Sequence, residues 1–318
     1  MRVLLTGATG FVGAWTLRAL LARGHHARAL VRSRPRLAAL GVSPVEVSLG
    51  DVRDRASVEA AMQGVDAVIH CAGVVEAAAA PRLHAVNVDG TLHVADAARA
   101  RGCRMVHVST LATTASTFSP ALLDEASPLA SPRDPSPYVA SKRLAELHLS
   151  ARAAEGLDVV VLNPGVVLGP GDPQRSSTRA VVAYLQGAIR AHPPGGIAFC
   201  DARDVASALV AALTRGTRGA RHLLGGHNLT YGAFYAALSA LTGLPPTVPL
   251  TWAAAQGMRM KIIWIRKLIE HHIAAFGHLS VGVVTRGFYA SFGWGERDFR
   301  SKSLHGKYPL TSRVFGHN

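Results

Sequence analysis

Three glycines in a span of seven residues constrain this chain most. Thr6-Gly7-Ala8-Thr9-Gly10-Phe11-Val12-Gly13 follows a short apolar run, Val3–Thr6, and opens a helical pattern over Phe11–Arg23 that closes near Gly24. Gly7 permits a tight turn, Gly10 lets backbone N–H groups approach a diphosphate, and Gly13 lets the helix pack close to the strand. The helix N-terminus adds partial positive charge where phosphates would sit. The spacing alone is a weak signal. At the head of a strand–helix unit it predicts a dinucleotide cradle.

The pattern that follows repeats that unit. Apolar, β-branched runs at Ala27–Val31, Val45–Leu49, Ala67–Ala72, Met105–Val108 and Val159–Leu162 alternate with helical stretches such as Ala56–Met62 and Leu83–Ala100. Continuous apolar strands separated by helices predict an α/β fold, a doubly wound parallel (Rossmann) sheet covered on both faces. Residues 111–136 collect Ser, Thr and Pro, and read as a long loop over the C-terminal edge of the sheet, where ligands bind. Beyond Pro164, helices are expected near Thr178–Ala191, Val205–Leu213 and Tyr231–Leu241. The expected division is a dinucleotide-binding domain over 1–170 with parts of 199–230, and a smaller, mainly helical substrate-binding region over 171–318.

Composition narrows the class. With 318 residues, 49% hydrophobic and 17% charged, the chain has ample material for a buried core and is not a disordered one. Cys71, Cys103 and Cys200 are too scattered for a disulfide framework or zinc site, so a reducing, cytoplasmic setting is expected and no metal. The apolar start Met1–Leu5 breaks at Thr6–Gly10, and no signal segment or spanning helix is expected. Half of the formal net charge of +14 falls in residues 251–318, which hold 10 Lys+Arg against 3 Asp+Glu. This local excess accompanies no nucleic-acid recognition motif, and nucleic acid is not an expected partner. In 257–277, Ile262, Ile265, Ile269, Ile273 and Phe276 recur at helical spacing beside Arg259, Lys261, Arg266 and Lys267. Such a segment is either a core-facing helix with a solvated side, or a lid that makes peripheral contact with an anionic membrane.

The end of the second strand bears on the cofactor. NAD-binding folds place an acid there to hold the ribose 2′-OH. Ala29-Leu30-Val31-Arg32-Ser33-Arg34-Pro35-Arg36 offers arginines instead, which suit a 2′-phosphate. NADP(H) is therefore preferred, with Arg32 first and Arg34 second as its phosphate partners; NAD is the alternative. Asp51-Val52 after the third strand either contacts adenine or contributes a cap, Asp51, to a helix beginning near Arg53.

Ser136-Pro137-Tyr138-Val139-Ala140-Ser141-Lys142 opens a helix with Pro in its first turn. Tyr138 and Lys142, four apart, share a face. A neighbouring ammonium and a cationic nicotinamide would favour phenolate and lower the phenol's pKa. The pair could then exchange a proton with a substrate oxygen while a nicotinamide exchanges hydride. Ser109-Thr110, at the end of the fifth strand, offers a hydroxyl to the same oxygen or caps the next segment.

Together TGATGFVG (6–13), DVRD (51–54), HCAG (70–73), NVDGT (87–91), VST (108–110), YVASK (138–142), NPGVVLGP (163–170), FCDARDVASA (199–208) and HLLGGHNLTY (222–231) resemble the extended short-chain dehydrogenase/reductase family, over roughly residues 1–245. Within it, the chain is most similar to the dihydroflavonol-reductase and 3β-hydroxysteroid-dehydrogenase-like group. The resemblance implies Tyr138 as acid/base, Lys142 as its partner on the nicotinamide ribose, and Thr110 as the catalytic hydroxyl, with Ser109 as fallback. It implies diphosphate contacts from Gly7, Gly10, Phe11 and Val12, and a cleft wall of Ala72 and Gly73. It gives Asn87 a structural or relay role, puts Pro164 and Val167 on the nicotinamide side, and makes a homodimer plausible. Family dehydratases carry Asp-Glu after the catalytic Thr; Leu111-Ala112 stands here, and dehydration is not expected.

The expected activity is hydride transfer between NADP(H) and a ketone or secondary alcohol of an apolar small molecule, steroid-, lipid- or flavonoid-like. The alternatives are a nucleotide-sugar epimerase with tightly bound NAD, its substrate diphosphate held by Arg175, Arg179 or Arg203, and a cofactor-sensing protein without turnover.

Overall fold

A computed structural model describes residues 1–75, 80–114, 122–132, 134, 136–172 and 177–251, so the basic segment 257–277 lies outside the described residues. The first half alternates as expected: β1 (Arg2–Thr6), α1 (Phe11–Ala22), β2 (His26–Val31), α2 (Arg34–Ala38), β3 (Glu46–Leu49), α3 (Arg55–Ala61) and β4 (Ala67–His70). Then come α4 (Ala80–Leu83), α5 (Gly90–Ala100), β5 (Arg104–Val108), α6 (Pro137–Ala154) and β6 (Val159–Pro164). The second half holds β7 (Val166–Leu168), α7 (Arg179–Leu185), β8 (Ala191–His192), β9 (Gly196–Asp201), α8 (Ala202–Ala211), β10 (Arg221–Leu224), β11 (His227–Thr230), α9 (Tyr231–Thr242) and β12 (Val248–Pro249).

Seven strands form one sheet in the order β10-β6-β5-β4-β1-β2-β3, every neighbouring pair parallel. Apart from the edge strand β3, its strands are buried on both faces: Val3, Leu5, Ile69, Val106, Val160 and Leu162 pack on one side, Leu4, Val68, Met105 and Val161 on the other. Strand order reverses between β1 and β4, so the loops after these two strands flank a switch point, the place where open α/β sheets receive ligands. Three short strands, β11-β9-β7, make a second sheet. Val167 and Cys200 face the core of the large sheet, while Val166, Leu168 and Phe199 face an aromatic cluster with Tyr184, Tyr231, Phe234 and Tyr235 from α7 and α9.

Three elements depart from the sequence expectations. The single helix expected over Leu83–Ala100 is interrupted by a π-helical turn, His84–Asp89, which brings the Asn87 side chain onto the Val74 backbone. The helix expected over Thr178–Ala191 stops at Leu185, because Gly187 takes a left-handed φ of 72° and ends it. The third strand's following helix begins at Arg55, and Asp54 caps it by accepting from Ala56 N–H, so the cap role weighed for Asp51 is overturned.

Candidate active site

The glycine turn is shaped as its sequence demands. Gly7 has a φ of 72°, and a Cβ there would stand 2.6 Å from Cys71 C and Ala72 N on the loop after β4. A Cβ on Gly13 would fall 2.0 Å from the Gly7 carbonyl oxygen. Gly10 precedes α1 with no side-chain cap, which leaves the first turn of the helix, Phe11 and Val12, to an anion. The cradle thus fits a dinucleotide diphosphate. The Phe11 side chain itself packs into the core, which leaves its backbone as the group a diphosphate would meet.

The ends of β2 and β3 are governed by charge. Asp51 accepts from Arg53 through backbone and guanidinium, at 2.8 Å for the closest pair, and Arg32 stands 4.0 Å from the same carboxylate. Arg53 first, then Arg32, hold its carboxyl below the usual carboxylate range. The Arg32 side chain is 56% exposed at the end of β2, and Arg34 opens α2 two residues on. The Val52 side chain is buried against α3 and α5.

The loop after β4 forms the opposite wall. Ala72 N–H donates to Thr6 Oγ1 at 3.2 Å, Thr6 Oγ1 meets His70 Nδ1 at 2.8 Å, and His70 Nε2 meets Thr91 Oγ1 at 3.0 Å. Thr91 in turn donates to Asn87 O at 2.8 Å. Burial pushes His70 down to about 3, so the ring is neutral. Because the Thr91 proton goes to Asn87 O, His70 must donate from Nε2 and accept at Nδ1, and Thr6 must donate to it. The chain is therefore unidirectional from Ala72 to Asn87. The Asn87 side chain continues it, accepting from Val74 N–H and donating to Val74 O and to Ser141 Oγ, which donates to Tyr138 O. A buried run of hydrogen bonds thus ties the cleft wall to the helix of the Tyr-Lys pair.

Ser136 caps α6 by accepting from Val139 N–H, and Tyr138 and Lys142 come one turn apart near its start. Lys142 is buried; its Nζ donates to Val108 O at 2.7 Å and lies 3.7 Å from where a Cβ on Gly73 would stand. Burial pulls the ammonium down to about 8, against the opposing pull of Glu146. Tyr138 is half-buried and hydrogen-bonded to the Thr110 side chain. Its phenol is pushed up to about 12 by burial, with Thr110 acting in the other direction and Glu146 adding to the rise. Desolvation sets this direction, and Lys142 is not among the groups that shift the phenol.

The two hydroxyls of the β5 end are separated by their partners. Ser109 Oγ donates to Glu146 Oε1 in the interior, whereas Thr110, 9% exposed, meets Tyr138. The sequence marks Glu146 only by its place four residues after Lys142, which puts it on the same helical face. Pro164 ends β6 in register with Leu224, and the Val167 side chain points into the core. Arg203 is engaged bidentately by Asp201, Arg179 starts α7, and Arg175 lies outside the described residues. Among the described residues no cluster of His, Cys, Asp or Glu is disposed to hold a metal, and no helix is long and apolar enough to cross a membrane.

Residues 3–225 match the model of the NAD dependent epimerase/dehydratase family. Sterol demethylase protein B of Methylococcus capsulatus is 34% identical over 294 residues, covering 90% of this chain and 89% of that protein. A 4-hydroxy-2-methyl-3-oxo-4-farnesyl-3,4-dihydroquinoline-1-oxide ketoreductase of Stigmatella aurantiaca is 35% identical over 237 residues, covering 70% of this chain and 68% of its own. Among solved structures, a nucleoside-diphosphate-sugar epimerase from Pseudomonas aeruginosa shares the fold with a TM-score of 0.77 at 24% identity, covering 99% of this chain and 95% of that one. The chain belongs to the NAD dependent epimerase/dehydratase family, in the extended short-chain dehydrogenase/reductase class, and is an NAD(P)-dependent oxidoreductase.

Proposed function

We propose that this enzyme reduces a ketone of an apolar, ring-containing small molecule with NADPH, and that Tyr138 is the proton donor. The observation that carries this reading is the Tyr138 phenol, hydrogen-bonded to Thr110 and pushed up to about 12, one turn from a buried Lys142. A phenol in that state keeps its proton at neutral pH, which is what an acid facing a nascent alkoxide needs. NADPH supplies a hydride to the carbonyl carbon. Thr110 orients the carbonyl oxygen, Tyr138 delivers the proton to it, and Lys142 holds positive charge beside the phenol. The arginine-rich end of β2, with Arg32 exposed, supports the 2′-phosphate form of the cofactor. Residues 1–170 with parts of 199–230 hold the dinucleotide in this reading, and the region from 171 onward receives the substrate.

The names of the two relatives, one a sterol demethylase protein and one a ketoreductase of a farnesylated ring ketone, favour an apolar ring ketone over a nucleotide sugar. The test is oxidation of NADPH, beside NADH, against steroid, flavonoid and long-chain keto compounds and nucleotide sugars. A ketone should turn over with NADPH, and Tyr138→Phe should lower that rate by about 10²-fold or more. Turnover of Tyr138→Phe at the parental rate, or activity confined to nucleotide sugars, would refute the reading.

A further inference from the structure

We infer that Glu146 is the positioning residue of the Thr110 hydroxyl: its Oε1 atom gathers the Ser109–Thr113 turn against α6, and so sets where Thr110 stands relative to Tyr138. This rests on the reductase reading above.

Glu146 lies one helical turn beyond Lys142 and two beyond Tyr138, and is 6% exposed. A buried carboxyl on the working helix needs an account, because taking it out of water is costly unless hydrogen bonds compensate. Three groups, two from the segment that follows β5 and one from β6, supply them. Ser109 Oγ, Thr113 Oγ1 at 2.6 Å and Asn163 Nδ2 at 2.8 Å all reach the same oxygen, Oε1. The residues on Oε1 bracket Thr110 in the chain, and two of them also hold its backbone: Thr113 Oγ1 lies 2.8 Å and Asn163 Nδ2 3.1 Å from Thr110 O. The 3-10 turn Leu111–Thr113 begins there, with Thr110 as its cap. Thr110 is thereby fixed on both flanks and at its carbonyl by one side chain of the helix that carries Tyr138.

The protons allow two arrangements. Thr113 has one hydroxyl proton and two acceptors within reach, Thr110 O and Glu146 Oε1. A carboxyl that holds its own proton donates to Thr113 and frees the Thr113 proton for Thr110 O. An ionised one takes the Thr113 proton and leaves Thr110 O to Asn163. Burial pushes the Glu146 carboxyl up, against the pull of Ser109 and Thr113. A glutamine with its carbonyl oxygen at the Oε1 place accepts from Ser109, Thr113 and Asn163 as the ionised carboxylate does. A leucine cannot.

The experiment compares Glu146→Gln and Glu146→Leu with the parent enzyme and with Tyr138→Phe, using NADPH and 5α-cholestan-3-one as probes. Glu146→Leu should lower kcat by about tenfold or more while KM for the ketone and Kd for NADPH stay within about threefold, and Glu146→Gln should keep kcat within about threefold. If Leu prevents folding, Thr113→Val removes one of the three donors at nearly constant volume and should lower kcat with NADPH affinity unchanged. A kcat retained in both Glu146→Leu and Thr113→Val would overturn the inference, as would a Gln variant as damaged as the Leu variant or an equal loss of NADPH binding. A crystal structure of Glu146→Leu decides the placement without turnover: Thr110 Oγ1 still on the Tyr138 phenol refutes it, and displacement supports it. If Tyr138→Phe matches the parent, the reductase reading fails instead.

Discussion

Two buried polar networks flank the Tyr138–Lys142 pair, and they are built differently. On the cofactor side, Ala72, Thr6, His70, Thr91 and Asn87 form a chain in which each proton has one acceptor and the direction is fixed. On the β5–β6 side, Ser109, Thr113 and Asn163 converge on one oxygen of Glu146, and Thr113 has more acceptors than protons. The first arrangement has a single solution and suits a rigid wall for a cofactor. The second has two, and sits behind the hydroxyl proposed to meet the substrate. The contrast teaches that polar burial in one site can do two jobs: hold a backbone still, and hold a reactive side chain in one of a few positions.

Breaking the first network should cost stability more than chemistry. His70→Phe keeps the ring's bulk but strips the Thr6 proton of its acceptor and Thr91 of its donor, both fully buried. With each orphaned group worth about 1–3 kcal/mol, the loss should be about 2–6 kcal/mol in unfolding free energy. Because Ala72 N–H hangs on Thr6 Oγ1, NADPH affinity should fall as well. Urea titration and NADPH fluorescence check both. If His70→Phe is as stable as the parent and only kcat falls, the division between the two networks is wrong.

Lys142 stands between the networks, and pH separates its roles. Its folded-state value of about 8 lies below the ordinary 10.5, mainly through burial. The folded protein therefore gives up this proton more readily than the unfolded chain, and stability should rise with pH from about 8 towards 10 relative to Lys142→Met. Activity should move the other way, because the ammonium beside the phenol is lost over the same window. A kcat/KM profile with a falling limb near pH 8, beside a rising melting temperature relative to Lys142→Met, is the expected result. A parallel rise or fall of both would show that Lys142 contributes only to the fold.

How much of this was legible in the sequence follows from the range of each interaction. The glycine turn and the Tyr-Lys pair are local, and residues 6–13 and 138–142 carry their geometry within one turn of chain. Even Thr110 over Ser109 came only from a resemblance, because the group that removes Ser109 from service is Glu146, 37 residues away. The same limit hid β7, β9 and β11: short strands between glycines show no period until they pair. The π turn inside the expected long helix accompanies hydrogen bonds from Asn87 to Val74, ten or more residues back. The direction of the phenol's shift is not legible in the sequence, because desolvation depends on packing that a sequence does not display.

The smallest expected effect lies outside both networks and serves as their control. Asp204, in the first turn of α8, is pushed up to about 7 by burial and by Asp201, with Arg203 pulling the other way. Its folded-state value is above the ordinary 3.8, so the native state binds this proton more tightly than the unfolded chain. Its cost to stability is absent below about pH 4, grows as pH rises, and is complete above about 7. Asp204→Asn removes that cost. The variant should melt higher than the parent at pH 8, by roughly 2–4 °C for each kcal/mol recovered, and at the same temperature near pH 4. NADPH-dependent turnover should change little at either pH, since Asp204 touches neither network. A gain that persists undiminished at pH 4 would mean that the amide improves packing rather than relieving a charge, and pH-dependent stability below neutrality would then have to be sought in the two networks themselves.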